Sequence, residues 1–337
     1  MTQNTIFIDN DKSLQDVLDE TVLLLSTYNK NINVIRPKWS GDSTERNDRW
    51  WNDESIINSK IMCVSTRTKI SNDLIKTSKT LKAAIYPTIG WNTIDYDFAS
   101  KNNIMIVNNP TWENYASLAE ATVMLISALL LELKQKMEQC KINAERPRPR
   151  DITSTMMAGK IVGLVGYGRI AKEVKDRLVP WDCKEFLAMN RHPELISDPE
   201  INVATIEEIF ERADIISIHL PFNPSTAKLV DYRLLSLTKK GFFLVNTSRG
   251  GVVCEKSLLK AIHEKKVLGA AIDVFAKEPL ELNHPLRLEK NVILTNHIIG
   301  HTKELFDSLA VGIKASIAQI LEGKIPDNCV NRKDIKI

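Results

Sequence analysis

The chain has little that would staple, anchor or tether it. Cysteine is sparse and odd in number: Cys63, Cys140, Cys183, Cys254 and Cys329 are scattered over 337 residues. None forms a CxxC pair or falls at metal-ligand spacing, so neither a disulfide scaffold nor a metal site is expected, and free thiols in a reducing compartment are. An excess of one charge is also lacking. The 45 Lys and Arg nearly balance the 42 Asp and Glu, for a net charge of +3. That is too little to imply a nucleic-acid partner, although local charge in a cleft still suits a small anionic substrate. No long apolar run is free of charge. The most apolar stretch, Leu118 to Leu133, is interrupted by Glu120 and followed by charged residues, the pattern of a buried helix rather than a membrane span. The first residues, Met1 to Ser13, lack the basic start and long apolar core of a signal peptide. A cytoplasmic protein with no membrane partner is expected. Internal repeats and low-complexity segments are absent as well.

What is present is the balance of a soluble globular protein, 43% hydrophobic and 26% charged, at a length that suggests two domains able to bury large cores. Short β-rich runs alternate with helical patterns. Ile6–Ile8, Ile32–Ile35, Ile61–Val64, Leu81–Tyr86 and Ile104–Val107 read as strands, with helices at Leu14–Leu25 and around Tyr96–Lys101. Residues 37–60 read as irregular. A long helical pattern runs from Tyr115 to Gln139 and stops before Glu145-Arg146-Pro147-Arg148-Pro149-Arg150, a basic run read as a solvated loop. A second alternating series follows. Its strands are Ile161–Val165, Glu185–Met189, Ile215–Leu220, Phe242–Asn246, Leu268–Val274 and Val292–Thr295. Its helices fall near 169–178, 205–212, 231–237 and 254–265, the second opened by a Thr205–Glu208 capping box. A last helix spans about 302–322. Strands alternating with helices imply parallel sheets covered on both faces.

One turn carries chemistry by itself. Ile161–Val165 leads into Gly166-Tyr167-Gly168-Arg169-Ile170-Ala171, a G-x-G-x-x-A between a strand and a helix. Gly166 permits the tight turn, Gly168 lets backbone approach a pyrophosphate at the positive end of the next helix, and Ala171 lets that helix pack closely. The bland alternative is a tight turn with no ligand. The following strand, about twenty residues on, favours a dinucleotide. That strand ends at Asn190-Arg191-His192, where an NAD-binding protein usually places an acid for the ribose 2′-hydroxyl. Asn190 is uncharged and Arg191 suits a 2′-phosphate, which favours NADP over NAD. If Arg191 points to solvent, both cofactors bind.

Three further stretches carry a resemblance: Val245-Asn246-Thr247-Ser248-Arg249-Gly250-Gly251, Ala271-Ile272-Asp273-Val274-Phe275-Ala276-Lys277-Glu278-Pro279, and Asn291 to Gly300 around His297. Together with the glycine turn, in this order and spacing, they resemble the D-isomer-specific 2-hydroxyacid dehydrogenase family. The match is strong over 158–304 and looser over 61–123, where Ser117–Thr122 resembles the start of the family's interdomain helix. The resemblance implies two Rossmann-like or flavodoxin-like α/β domains with parallel sheets. A substrate domain would comprise 1–114 and 305–337, with a dinucleotide-binding domain at 115–304 inserted into it and the active site in the cleft between. It also implies a homodimer through the helix near 115–139.

The implied catalytic set is Arg249, Glu278 and His297. Reducing a keto acid moves a hydride to the carbonyl carbon and a proton to its oxygen. A guanidinium holds the carboxylate and polarises the carbonyl, an imidazole delivers the proton near neutral pH, and a neighbouring carboxylate orients that imidazole. Singly, each residue has an ordinary alternative: a strand-end arginine, a turn acid, a core histidine. The resemblance places cofactor contacts at Gly166, Gly168, Arg169, Ile170, Asn190, Arg191, His219, Pro221, Thr226, Thr247, Asp273 and Gly300. It places substrate contacts at Thr88, Ile89 and Gly90 beside Arg249. His301 has no role in the pattern, His192 falls near the cofactor ribose, and His263 and His284 read as surface residues.

The departures are specific. Thr88 and Asn92 replace a usual Gly and Asp, Asn296 replaces a common Pro, the 140–157 linker lacks the usual tryptophan, and Ser65 stands where phosphoglycerate-specific members often carry Arg. The expected activity is hydride transfer between NAD(P)H and a small 2-keto or 2-hydroxy acid. Formate chemistry is disfavoured because formate enzymes use an amide where Glu278 stands. The rival from another class is a dinucleotide-sensing, corepressor-like binding protein with little turnover.

Overall fold

The structure, a computed structural model, describes residues 4–29, 31–37, 53–91, 93–142, 145–238 and 240–336. The chain divides into two compact units, 1–114 with 302–337, and 115–301.

The first unit begins with β1 (Asn4–Ile8), α1 (Gln15–Tyr28), β2 (Ile32–Ile35), α2 (Glu54–Ile57) and β3 (Ile61–Cys63). It continues with α3 (Asn72–Thr77), β4 (Ala83–Ile85), α4 (Tyr96–Lys101) and β5 (Met105–Val107). All strands are parallel, in the order β2-β1-β3-β4-β5, the doubly wound flavodoxin-like order. β3, β4 and β5 are wholly buried runs of Ile, Met, Cys, Ala and Val, as a sheet covered on both faces requires. Short helices are started by side-chain caps: Ser71 Oγ accepts from Leu74 N–H and Asp95 Oδ1 from Phe98 N–H.

The second unit takes most of α5 (Trp112–Leu130), then α6 (Leu133–Lys141), β6 (Ile161–Val165), α7 (Arg169–Leu178), β7 (Glu185–Met189) and β8 (Ile201–Val203). After these come α8 (Ile206–Arg212), β9 (Ile215–Ile218), α9 (Tyr232–Leu235), β10 (Phe242–Asn246), α10 (Glu255–His263), β11 (Val267–Ile272) and β12 (Val292–Leu294). Its seven-stranded parallel sheet runs β12-β11-β10-β9-β6-β7-β8. The order reverses between β6 and β9, a switch point that leaves a crevice at the carboxyl edge. The expected capping box is present, with Thr205 and Glu208 satisfying each other's backbone N–H groups.

The chain then returns to the first unit as α11 (Lys303–Leu321), whose Leu309, Ile313 and Ile317 share a core with Leu18 and Leu25 of α1. Buried Asn331 fastens the tail: its Oδ1 accepts from Ile106 N–H and its Nδ2 donates to Ile104 C=O.

Three sequence expectations are corrected. The helix expected over 115–139 is two helices, bent by 62°. Glu132 adopts φ +53, the Leu130 carbonyl accepts from Thr155 N–H at 2.9 Å instead of continuing the helix, and Lys134 Nζ leaves to bond the carbonyls of Glu289 and Val292. Within the 37–60 stretch read as irregular, Glu54–Ile57 is helical, while 38–52 lie outside the described residues. α3 and the short edge strand β8 give too few periodic positions to be read from sequence. Among the described residues, no single helix is long and apolar enough to cross a membrane.

Candidate active site

In the second unit the singled-out residues gather at the carboxyl ends of the parallel strands. β6 delivers Gly166 and Gly168, β7 Asn190, β9 His219, β10 Thr247 and Arg249, β11 Asp273, and β12 His297.

The loop after β11 and the loop after β12 meet at a charged pair. His297 Nδ1 lies 2.8 Å from Glu278 Oε2. Burial by itself would raise the Glu278 carboxyl. Hydrogen bonds from His297 and from the Phe275 N–H (3.0 Å) outweigh it, with the His297 and Arg249 charges, and hold it below the ordinary range. The carboxylate is therefore the acceptor and Nδ1–H the donor, which leaves Nε2 of a half-exposed ring, 46% accessible, for other partners. Arg249 is coupled to the same carboxylate: burial lowers its guanidinium and the Glu278 charge opposes that. Its backbone is held by Asn246, whose Nδ2 donates to the Arg249 carbonyl while Oδ1 accepts from Ser248. The structure thus brings the Arg, the Glu and the His to one place.

Two details explain how these loops are kept there. His297 has φ +56, which a non-glycine residue adopts only when its surroundings impose it. Asp273 imposes it. Its backbone C=O accepts from His297 N–H at 2.7 Å, and its Oδ1 accepts from Thr295 Oγ1 and from the N–H groups of Ile298 and Ile299. Gly250 lies so close to Phe275 that a Cβ would come within 1.9 Å of the Phe275 carbonyl carbon. The loops bearing Arg249 and Glu278 therefore touch backbone to backbone.

The glycine turn fits a dinucleotide. Gly166 has φ +97 and no room for a Cβ beside Leu220 and the His219 carbonyl. Gly168 heads α7 without a side-chain cap, and nothing lies within 4 Å of where its Cβ would be. That leaves open space above the first amides of a ten-residue helix, where a pyrophosphate binds. Asp273 is only 2% exposed, yet its Oδ2 takes no hydrogen bond from any described residue, as a carboxamide partner would require.

The other expected contacts sit as follows. Arg169 donates to Tyr115 Oη at 2.7 Å and lies over its ring; Ile170 packs into the α7 core. Asn190 is engaged at both ends, Nδ2 donating to the Tyr167 carbonyl and Oδ1 accepting from His192 N–H. Arg191 is exposed and reaches Ser225 Oγ at 3.4 Å. His219 shares a hydrogen bond with Ser217 Oγ, and burial pushes its ring down to about 4. Thr226 turns its hydroxyl into its own loop, donating to the exposed Pro221 carbonyl. Thr247 meets Thr122 hydroxyl to hydroxyl at 3.1 Å. Gly300 is buried against Leu118 of α5.

In the first unit, the carbonyls of Thr88 and Ile89 accept from Asn109 N–H and Asn108 Nδ2, and Gly90 is buried. Asn92 lies outside the described residues. Ser65 is buried, with its N–H donating to Asp9, and Arg67 is paired with Asp11 at 3.2 Å.

Among histidines, His263 is exposed against Glu289, but His284 is a correction. It is half-buried, caps the turn Pro285–Leu288 through Nδ1, and faces Glu255 at 3.4 Å. Sequence reading also missed Glu255 itself, whose Oε1 accepts from Ala276 N–H; a helix-start acid gives no sign of a partner 21 residues away. The five cysteines are free, and no metal-holding cluster exists among the described residues.

A switch-point crevice with an open glycine turn, a buried aspartate with one carboxylate oxygen left open and an Arg–Glu–His set defines a dinucleotide-dependent oxidoreductase of the doubly wound class. Residues 123–298 match the profile of the D-isomer specific 2-hydroxyacid dehydrogenase, NAD binding domain. A glyoxylate reductase of Thermofilum pendens is 32% identical over 281 residues, 82% of each chain. Among solved structures, a D-lactate dehydrogenase from Aquifex aeolicus, complexed with NAD and lactic acid, superposes with a TM-score of 0.81 at 20% identity, covering 97% of this chain and 99% of that one. An acyclic imino acid reductase in complex with NADPH and D-Arg superposes with a TM-score of 0.81 at 23% identity, with the same coverage. The chain belongs to the D-isomer specific 2-hydroxyacid dehydrogenase family.

Proposed function

We propose that this protein reduces a small 2-keto acid, or oxidises the matching D-2-hydroxy acid, using NADP or NAD. The observation that carries the reading is the 2.8 Å bond between His297 Nδ1 and the Glu278 carboxylate beside Arg249. A dinucleotide held by its pyrophosphate at the glycine turn would supply or take the hydride through its nicotinamide. Arg249 holds the substrate carboxylate through its fork of donors and polarises the carbonyl. His297 Nε2–H gives its proton to the carbonyl oxygen as that oxygen becomes a hydroxyl. Glu278 fixes the ring through Nδ1 and offsets the charge of its protonated form. Asp273 would accept from the carboxamide through its open Oδ2, and Arg191 would meet a 2′-phosphate. Thr88, Ile89 and Gly90 are assigned to the substrate carboxylate on sequence resemblance. Ser65, in place of an arginine, favours an unphosphorylated acid.

The test follows NADPH and NADH absorbance with a panel of 2-keto acids. Turnover that is mostly lost in Arg249→Ala and in His297→Ala, with cofactor still bound, is expected. Cofactor binding with no turnover on any acid would support a dinucleotide-sensing protein instead.

We further propose a homodimer through α5 and its surroundings. Met124, Leu131, Met156 and Trp181 are exposed, and three of them line or flank an apolar cavity of about 280 Å³. A monomeric mass by light scattering would overturn this.

A further inference from the structure

Outside the catalytic set, the second unit buries a charge that the reaction does not use. Lys175 of α7 is 3% exposed, and its Nζ lies 2.8 Å from Asp176, 2.8 Å from Asp198 and 2.9 Å from Glu200. A buried ammonium is tolerated only when paired this fully. Asp198 also accepts the Tyr167 hydroxyl at 2.7 Å. Tyr167 is the middle residue of the glycine turn. Its N–H donates to the Met189 carbonyl at 2.8 Å, and its own carbonyl accepts from Asn190 Nδ2 at 2.7 Å. One residue thus ties the turn to the end of β7 through its backbone and to the crossover 190–200 through its side chain, and Lys175 ties that crossover back to the helix the turn begins. A cavity of about 520 Å³ opens between the two, with Gly168, Arg169 and Lys172 on one side and Leu195 to Pro199 on the other. Burial would raise the Asp198 carboxyl, but bonds from Lys175, Tyr167 and the Glu200 N–H bring it down to about 2. The Asp198 carboxylate is therefore charged throughout the neutral range.

We propose that Lys175, Asp198 and Tyr167 form a positioning chain that holds the glycine turn and the 190–200 crossover in the dinucleotide-binding shape, setting cofactor affinity without entering hydride transfer. The inference rests on the cofactor reading above. A turn with one left-handed glycine and one unobstructed glycine has conformations to lose on binding. Apparent affinity falls in proportion to the fraction of molecules in the competent shape. The chain removes that loss in advance.

Tyr167→Phe and Asp198→Asn, made in the full chain, test it by NADH and NADPH fluorescence titration and by kcat at saturating cofactor. Both variants are expected to raise the dissociation constants of both dinucleotides about three- to tenfold, with kcat and the keto-acid KM unchanged. The double variant should bind about as Asp198→Asn does, because the hydroxyl acts through Asp198. Tyr167→Phe removes one oxygen and keeps the ring, so it carries the test if the Asp198 variant fails to fold. Wild-type affinity with a lowered Tm would overturn the proposal, leaving a purely stabilising network, and so would a fall in kcat at saturating cofactor. Wild-type protein that binds neither dinucleotide would overturn the cofactor reading itself, an outcome distinct from variants that bind as tightly as wild type.

Discussion

Gly250→Ala probes how the site is held more sharply than removing any of its charged groups. The new Cβ would stand 1.9 Å from the Phe275 carbonyl carbon and 2.2 Å from its oxygen. Ordinary contact begins at 3.4 Å, so the two backbones must part by about 1.5 Å, because a carbonyl in a packed loop has no rotamer to escape into. Arg249 precedes Gly250, and Glu278 is anchored by the Phe275 N–H. The displacement therefore falls between the guanidinium and the carboxylate that orients His297. A misplacement of about 1 Å costs about a hundredfold in rate, so kcat/KM for the best keto acid should fall by two orders of magnitude or more, roughly 3–4 kcal/mol of lost transition-state binding. Overpacking of this kind also destabilises by about 1–3 kcal/mol, a Tm loss of roughly 5 °C for a domain of this size. The assay is NAD(P)H absorbance under saturating cofactor, with a fluorescence titration to show that dinucleotide affinity stays near wild type. A variant that kept wild-type kcat/KM would refute the claim that these two backbones set the distance between Arg249 and Glu278.

Gly168→Ala is the converse case: the turn has room for the methyl, so Tm should hold while dinucleotide affinity falls about tenfold or more, and unchanged affinity would remove Gly168 from the pyrophosphate cradle. The Glu278 carboxyl is depressed chiefly by the His297 hydrogen bond acting against burial. Its stabilising contribution is therefore full above the ordinary 4.5 and lost as pH falls through the lower folded value. Carbon-13 titration should place its midpoint below 4.5 and move it upward in His297→Ala; an unmoved midpoint would break the pairing argument. Asn190→Asp sets a carboxylate where a 2′-phosphate would lie and also loses the bond to the Tyr167 carbonyl. Both affinities should fall, NADPH about tenfold more than NADH, and an unchanged ratio would take Asn190 out of cofactor choice.

The apolar periodicity, the G-x-G-x-x-A turn and the three strand-end motifs were enough to specify two parallel α/β sheets and the residues worth watching. Those signals are local: a buried parallel strand must be an apolar run, and a turn against a pyrophosphate must be glycine. The same locality explains the misses. The break at Glu132 depends on Thr155 and Lys134 capturing partners from other segments, and nothing within the helix itself announces it. His284 looks like a surface residue until Glu255 is folded against it.

What the sequence by itself determined is which chemistry is available: a guanidinium, an imidazole, a carboxylate and a dinucleotide turn, each at a strand end. What only the tertiary structure decided is their relation. Glu278 meets His297 at 2.8 Å across nineteen residues of chain, Asp273 holds His297 at a positive φ, and Asp198 reaches both Lys175 and Tyr167 from a separate segment. Hydrogen bonds and charge pairs of that kind act over a few ångströms in space and leave no period along the chain, so folding had to bring the partners together before they could be seen.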